Sequence, residues 1–181
     1  MNVKAFLTVA VMVGGLIGVA RADSPGGSTY WWHTMPQSQR NSAIVSRANQ
    51  DVNQWSGLSC KDWARKVVYE ASGKHVTIPS TRSSPYDYMW DYDISGHVIG
   101  MSMPIENVIP GYIIQMRLAS GWPHTAIVTA KTSTTVTFTE SNYDSTPWNN
   151  NDALVKTRTV TFAKFYSQVQ GGSSFTVYFI Q

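Results

Sequence analysis

The spacing of apolar positions changes once along the chain, and the change divides it into a helical part and a strand part. Ile44, Ala48, Val52 and Trp55 recur at helical spacing, so residues 36–55 read as one amphipathic helix. Ahead of it, Thr34-Met35-Pro36-Gln37 offers a Thr cap, an early Pro and a Gln three residues on. Gly57 breaks the pattern. A second helix is expected from Cys60 to Ser72, with Trp63, Ala64, Val67 and Ala71 on one stripe, ended by Gly73. Residues 74–110 contain Pro79, Pro85, Pro104, Pro110 and the aromatic run 86–92, and read as a long, partly packed loop region. From Tyr112 onward the period shortens. Segments 112–118, 124–130, 134–142, 158–162 and 175–180 are rich in β-branched and aromatic residues and read as strands. Helices first and strands second predict an α+β fold, with the N-terminal helices packed on a mostly antiparallel sheet of about five strands.

The first residues read as an address. Lys4 precedes an apolar run at 5–20 and the small-x-small exit Ala20-Arg21-Ala22, the marks of a secretory signal peptide. Thr8, Gly14, Gly15 and Gly18 interrupt the run, which is shorter than the ~20 apolar residues a membrane span needs. The expected organisation is a signal at 1–22, a flexible leader at 23–35 and one domain at 36–181, secreted or periplasmic, with no stable membrane span after cleavage. The formal charge of +3 owes two units to Lys4 and Arg21; without them the 14 basic residues fall nearly level with the 11 acidic ones. No basic cluster interleaved with aromatics remains, so nucleic acid is not an expected partner.

Export makes a single cysteine informative, because Cys60 has no internal partner for a disulfide. Ser59 and Asp62 form a capping box that places Cys60 at the first helical position. Unpaired N–H groups and the positive end of the helix dipole gather there, and both stabilise a thiolate. The same N–H groups suit an oxyanion. The stripe shared with Trp63 and Val67 suits a buried structural Cys equally well, so the reading needs a base.

Of the four histidines, His124 opens a strand just after Gly121-Trp122-Pro123. A hairpin turning around Thr132 would set His124 opposite Glu140 and Val128 opposite Val136, with Cβ atoms about 5 Å apart on one face. Asn142 extends that face. A base takes the thiol proton and returns it to a leaving amine, and a carboxylate or amide on its other ring nitrogen fixes its tautomer. A surface His–Glu pair without chemistry is the plain alternative. No cofactor is expected: there is no phosphate-binding glycine loop, Asp87, Asp91 and Asp93 lack the glycine and terminal Glu of a calcium loop, and Cys60 and His124 lack a third zinc ligand.

With these residues assembled, the chain from about residue 55 to 179 resembles the CHAP family, the cysteine- and histidine-dependent amidohydrolase/peptidase domains of the NlpC-like, papain-type superfamily. The resemblance lies in Gly57-x-x-Cys60 with Trp63-Ala64, Pro110-Gly111-Tyr112-Ile113-Ile114, Pro123-His124-Thr125-Ala126-Ile127-Val128 and Glu140-Ser141-Asn142-Tyr143. Gly111-Tyr112 stands where the family usually has Gly-Asp. The resemblance implies a papain-like fold with Cys60 as nucleophile, His124 as base, Glu140 as its orienter and Asn142 as a further polar member. It also implies an exported cysteine hydrolase of peptidoglycan or muropeptides, cutting either the sugar–stem amide or a peptide bond. Trp122, Tyr143, Trp90 and Trp148 flank the expected cleft on loops as candidate substrate walls, with packing of a satellite core as their alternative. A non-catalytic binding or inhibitory protein on the same scaffold, and an acyl-transferring thiol enzyme, stay open. So does the identity of any protein inhibitor.

Overall fold

The computed structural model describes residues 30–78, 98–143 and 153–181. The expected signal at 1–22, the whole aromatic run 86–92 with Trp90, and Trp148 lie outside the described residues. The helices are α1 (Tyr30–Thr34), α2 (Gln37–Gln50), α3 (Cys60–Ala71) and α4 (Phe162–Gln168). The strands are β1 (Val98–Met101), β2 (Ile113–Arg117), β3 (Pro123–Lys131), β4 (Thr135–Ser141), β5 (Val155–Thr161) and β6 (Phe175–Ile180). The strands form one antiparallel sheet in the order β1-β6-β2-β3-β4-β5. The fold is α+β as expected, with six strands among the described residues where about five were expected. The additional strand, β1, is four residues long and lies inside the stretch read as loop, where it pairs with β6.

Two apolar layers sandwich the sheet. On one face, Ile44 and Ala48 of α2 and Trp63, Ala64 and Val67 of α3 pack with Ile113, Ile127, Val155 and Ile180. On the other, Ile114, Met116, Ala126, Val128, Val136 and Phe138 pack under Phe165 of α4 and Val169. Alternate residues of each central strand thus enter different layers, and both layers are buried. α4 was not expected from the sequence; Thr161 caps it by accepting the Lys164 N–H at 3.2 Å.

Three local readings are corrected. Part of the expected leader is structured: Tyr30–Thr34 is helical, and Trp32 is fully buried with its indole N–H on Gln181 O at 3.0 Å. Thr34 does not cap α2, because its hydroxyl turns back to Trp31 O at 3.1 Å and Pro36 stands at the cap position instead. α2 ends at Gln50, short of Trp55. The following Asp51 carboxylate collects Arg47 and the Trp63 indole N–H, and Asn53 turns left-handed at φ 65°. From there the chain runs beside the start of β5, with Asn53 N–H on Val155 O and Ser56 N–H on Ala153 O, both at 2.8 Å. Trp55 is left 58% exposed instead of in the core.

Gly111 has a steric role at this junction. Its φ is 95°, and a Cβ there would lie 2.5 Å from the Asn41 Cα of α2. Gly121 has a similar φ of 87° but open space around it. Gly111→Ala is therefore expected to cost roughly 2–4 kcal/mol through backbone strain and overpacking together. Gly121→Ala, strained only, should cost about 1 kcal/mol. Urea unfolding of the two variants checks the ranking; equal costs would refute the close approach to α2.

Candidate active site

The thiol, the imidazole and the carboxylate named from the sequence meet at one end of the sheet. Cys60 is placed by its helix cap. Ser59 has φ −60° and ψ 160°, its hydroxyl accepts the Asp62 N–H at 3.1 Å, and it donates to Asp62 Oδ2 at 2.8 Å. A cap of this kind stabilises by ~1 kcal/mol. The preceding loop is tied to the sheet: Ser56 Oγ lies 2.8 Å from Ser141 Oγ and 2.9 Å from Ala153 O, and accepts the Leu58 N–H at 3.1 Å. Helix and loop together fix where the half-buried Cys60 emerges.

His124 is the second residue of β3 and is 3% exposed; Glu140 of β4 is 1% exposed. Their Nε2 and Oε2 atoms are 3.0 Å apart. The expected pair is thus present, but not in direct opposition. The strands pair Val128 with Phe138, a bulge lies between Val128 and Ala130, and Lys131 faces Val136. His124 and Glu140 are diagonal neighbours on one face, a separation that long side chains bridge. That face is also not the one α2 and α3 cover. It continues through Ala126, Val128, Val136 and Phe138 into the layer beneath α4. Cys60 therefore reaches His124 from the opposite layer, at the end of the sheet.

Four groups of alternating charge result. Burial alone would push the Cys60 thiol up. The His124 charge, a hydrogen bond with His124, and the backbone N–H groups of Thr125 and Lys61 outweigh it and hold the thiol below its ordinary value of 9.0. Burial alone would lower His124. The sulfur charge and hydrogen bond of Cys60, with those of Glu140, instead raise it to about 9. Burial likewise opposes the Glu140 charge, but His124 and Arg158 keep its pKa below the usual carboxylate value. Each charge thus favours the other: the imidazolium draws the thiol down, and the thiolate holds the imidazole up. With Nε2 on Glu140, the ring's Nδ1 is the nitrogen left for the sulfur.

Arg158 of β5 is the member that sequence reasoning missed. Its Nε donates to Glu140 Oε1 at 2.5 Å and its Nη2 to Oε2 at 3.1 Å. Its guanidinium lies 4.1 Å from the Tyr143 ring centre. Tyr143, expected as a substrate wall, meets the His124 ring edge-on at 5.1 Å and so also packs within the cluster. Asn142 follows the end of β4 in a left-handed turn at φ 61°. The carboxylate of Glu140 bonds His124. Trp122 is 43% exposed, two residues before His124. Among the described residues, no group of His, Cys, Asp and Glu is placed to hold a metal ion, and no helix is long and apolar enough to cross a membrane.

Fold and site together define a papain-like α+β domain with a Cys–His–Glu cluster at one end of its sheet. Two solved structures are similar in fold: that of Ly7917, at 15% identity and a TM-score of 0.51 over 76% of this chain, and that of Ly7917 with the hydrolyzing product of MDP, at 13%, 0.52 and 77%. The chain spans about three fifths of Ly7917, 61% and 62% of its length in the two cases. No protein-family model and no curated protein matches the chain.

The thiol shift has a direct consequence. Alkylation of Cys60 by iodoacetamide should follow a pH profile whose midpoint lies below the ordinary thiol value of 9.0. His124→Ala removes the charge and leaves burial, so the midpoint should move above that value. A wild-type midpoint at or above 9 would refute the ion pair.

Proposed function

We propose that the chain is a cysteine hydrolase of amide bonds in peptidoglycan fragments, with Cys60 as nucleophile, His124 as acid and base, and Glu140 as the group that orients His124. The observation that carries this reading is a thiol at a capped helix start, beside a buried imidazole that a buried carboxylate holds on its far side. The fold shared with Ly7917, crystallised with the hydrolyzing product of MDP (muramyl dipeptide), supports the substrate class. The motifs that resemble the CHAP family support the same roles.

The Cys60 thiolate attacks the amide carbon and the carbonyl oxygen becomes an oxyanion. At the helix start the Asp62 N–H is taken by Ser59 and the Lys61 N–H faces the sulfur, and Cys60's own N–H would donate to that charge. The imidazolium gives its proton to the leaving nitrogen, the C–N bond breaks, and a thioester remains. His124, now neutral, takes a proton from water; the hydroxide attacks the thioester, and the acid and the thiolate separate. Trp122, exposed beside the base, would pack on the substrate. The signal read over 1–22 belongs to the same proposal: it would carry the domain to the compartment of its substrate, and a secreted chain beginning at Asp23 tests it.

Mass spectrometry of muropeptides incubated with the chain under reducing conditions tests the activity. Wild type should release either the intact stem from the sugar or a fragment of the stem. Cys60→Ala should release neither, and His124→Ala should be slower by roughly 100-fold or more. Product from Cys60→Ala equal to wild type would overturn the mechanism. A new amide with an added amine, formed in place of the free acid, would make the chain a transferase. Trp122→Ala should raise KM with kcat little changed, and a fall in kcat alone would argue against a substrate contact.

A further inference from the structure

The Glu140 carboxylate is shared in an unequal way. Oε1 accepts from Arg158 Nε at 2.5 Å, whereas Oε2 accepts both Arg158 Nη2 at 3.1 Å and His124 Nε2 at 3.0 Å. One oxygen therefore joins guanidinium and imidazole. The guanidinium is itself held. Its Nη1 donates to Gln168 Oε1 of α4 at 2.9 Å, and its face lies 4.1 Å from the Tyr143 centroid and 5.2 Å from that of Phe138. Tyr143 in turn touches the His124 ring with an interplanar angle of 78°. Arg158, Glu140, His124 and Tyr143 close a ring of contacts. A planar fork with two N–H bonds fixes the rotation of a carboxylate, which a single ammonium does not.

We propose that Arg158 is a positioning residue: its fork turns Glu140 so that Oε2 stays on His124 Nε2, which keeps the other face of the imidazole on Cys60. The inference rests on the reading of Cys60 as nucleophile and His124 as its base. The titratable and charged groups around the pair come from each neighbouring element. Cys60 comes from α3, and Lys156, opposite Glu140, and Arg158 come from β5. Tyr143 follows β4. β2 sets Met116 opposite His124, with Arg117 one residue on, and α4 supplies the neutral Gln168. Arg158 differs from the others in binding the carboxylate at both oxygens.

The test uses the full chain and needs no substrate for its first readout: the pH profile of Cys60 alkylation in wild type, Glu140→Gln, Arg158→Met, Arg158→Lys and Gln168→Leu, with a thermal melt of each. Glu140→Gln should move the midpoint up. Arg158→Met should move it the same way, because a released carboxylate leaves the imidazole. Arg158→Lys keeps the charge but not the fork and should recover less than half of that shift. Gln168→Leu should give a smaller upward shift. On muropeptides, Arg158→Met should lower kcat by about tenfold with KM within about twofold. A wild-type profile in folded Arg158→Met, beside a shifted Glu140→Gln, would overturn the proposal; so would full rescue by Lys. If Arg158→Met does not fold, an unmoved profile in Gln168→Leu overturns it. An unmoved profile in Glu140→Gln overturns instead the reading of the Cys–His–Glu site on which it stands.

Discussion

A carboxylate buried to 1% exposure must have partners, and Glu140 is the group on which the arrangement at this end of the sheet depends. Taking an ionised carboxylate out of water costs several kcal/mol, which only well-placed hydrogen bonds and opposite charge offset. Glu140 lies on β4, and its partners come from the strands on either side, His124 from β3 and Arg158 from β5. A slip of β5 along β4 would leave the carboxylate without its fork. A slip of β3 would remove the imidazole. The side-chain cluster thus disfavours the wrong registers of two hairpin-like pairings that apolar packing, tolerant of one Val or Thr for another, specifies less sharply.

The same carboxylate organises the electrostatics. Thiolate, imidazolium, carboxylate and guanidinium alternate in sign, so each charge has an opposite neighbour although three of the four side chains are largely buried. Cys60, which carries the sulfur at one end of this row, is half-buried, while His124 and Glu140 are buried. On the proposed reading, reactivity is concentrated at that sulfur. The capped helix start adds fixed N–H donors at that atom without adding a further charge.

What could be read from the sequence follows the range of the physics involved. The start of α3 was legible because a cap is a local signal, contained within Ser59 to Asp62. The face shared by His124 and Glu140 was legible because strand alternation has period two, and the actual register differs from the expected one by a shift that preserves it. The register itself was not legible, because the turn falls between Ser133 and Thr134 rather than on Thr132, and the bulge near Val128 is invisible in the pattern. Nor was the choice of face: both sides of the central strands are apolar, and nothing in their alternation tells α2 and α3 from α4. Arg158 was out of reach because its position beside Glu140 depends on how β5 pairs with β4 after a long connection, where no turn arithmetic applies. The end of α2 was misplaced because Val52 and Trp55 fit a helical period, whereas the chain there is held by Asp51 and by hydrogen bonds to residues a hundred positions away.

The measurement that bears most directly on this account is the titration of His124 followed by its ring nitrogen chemical shifts in the isotope-labelled chain. The account requires an imidazolium that stays charged through neutral pH and loses its proton near 9 in wild type. In Cys60→Ala, where the thiolate is gone and Glu140 remains, the transition should come at lower pH. A wild-type His124 that titrates at or below 6.5, unaffected by loss of the thiol, would contradict the thiolate–imidazolium pair and with it the role given to every residue around it.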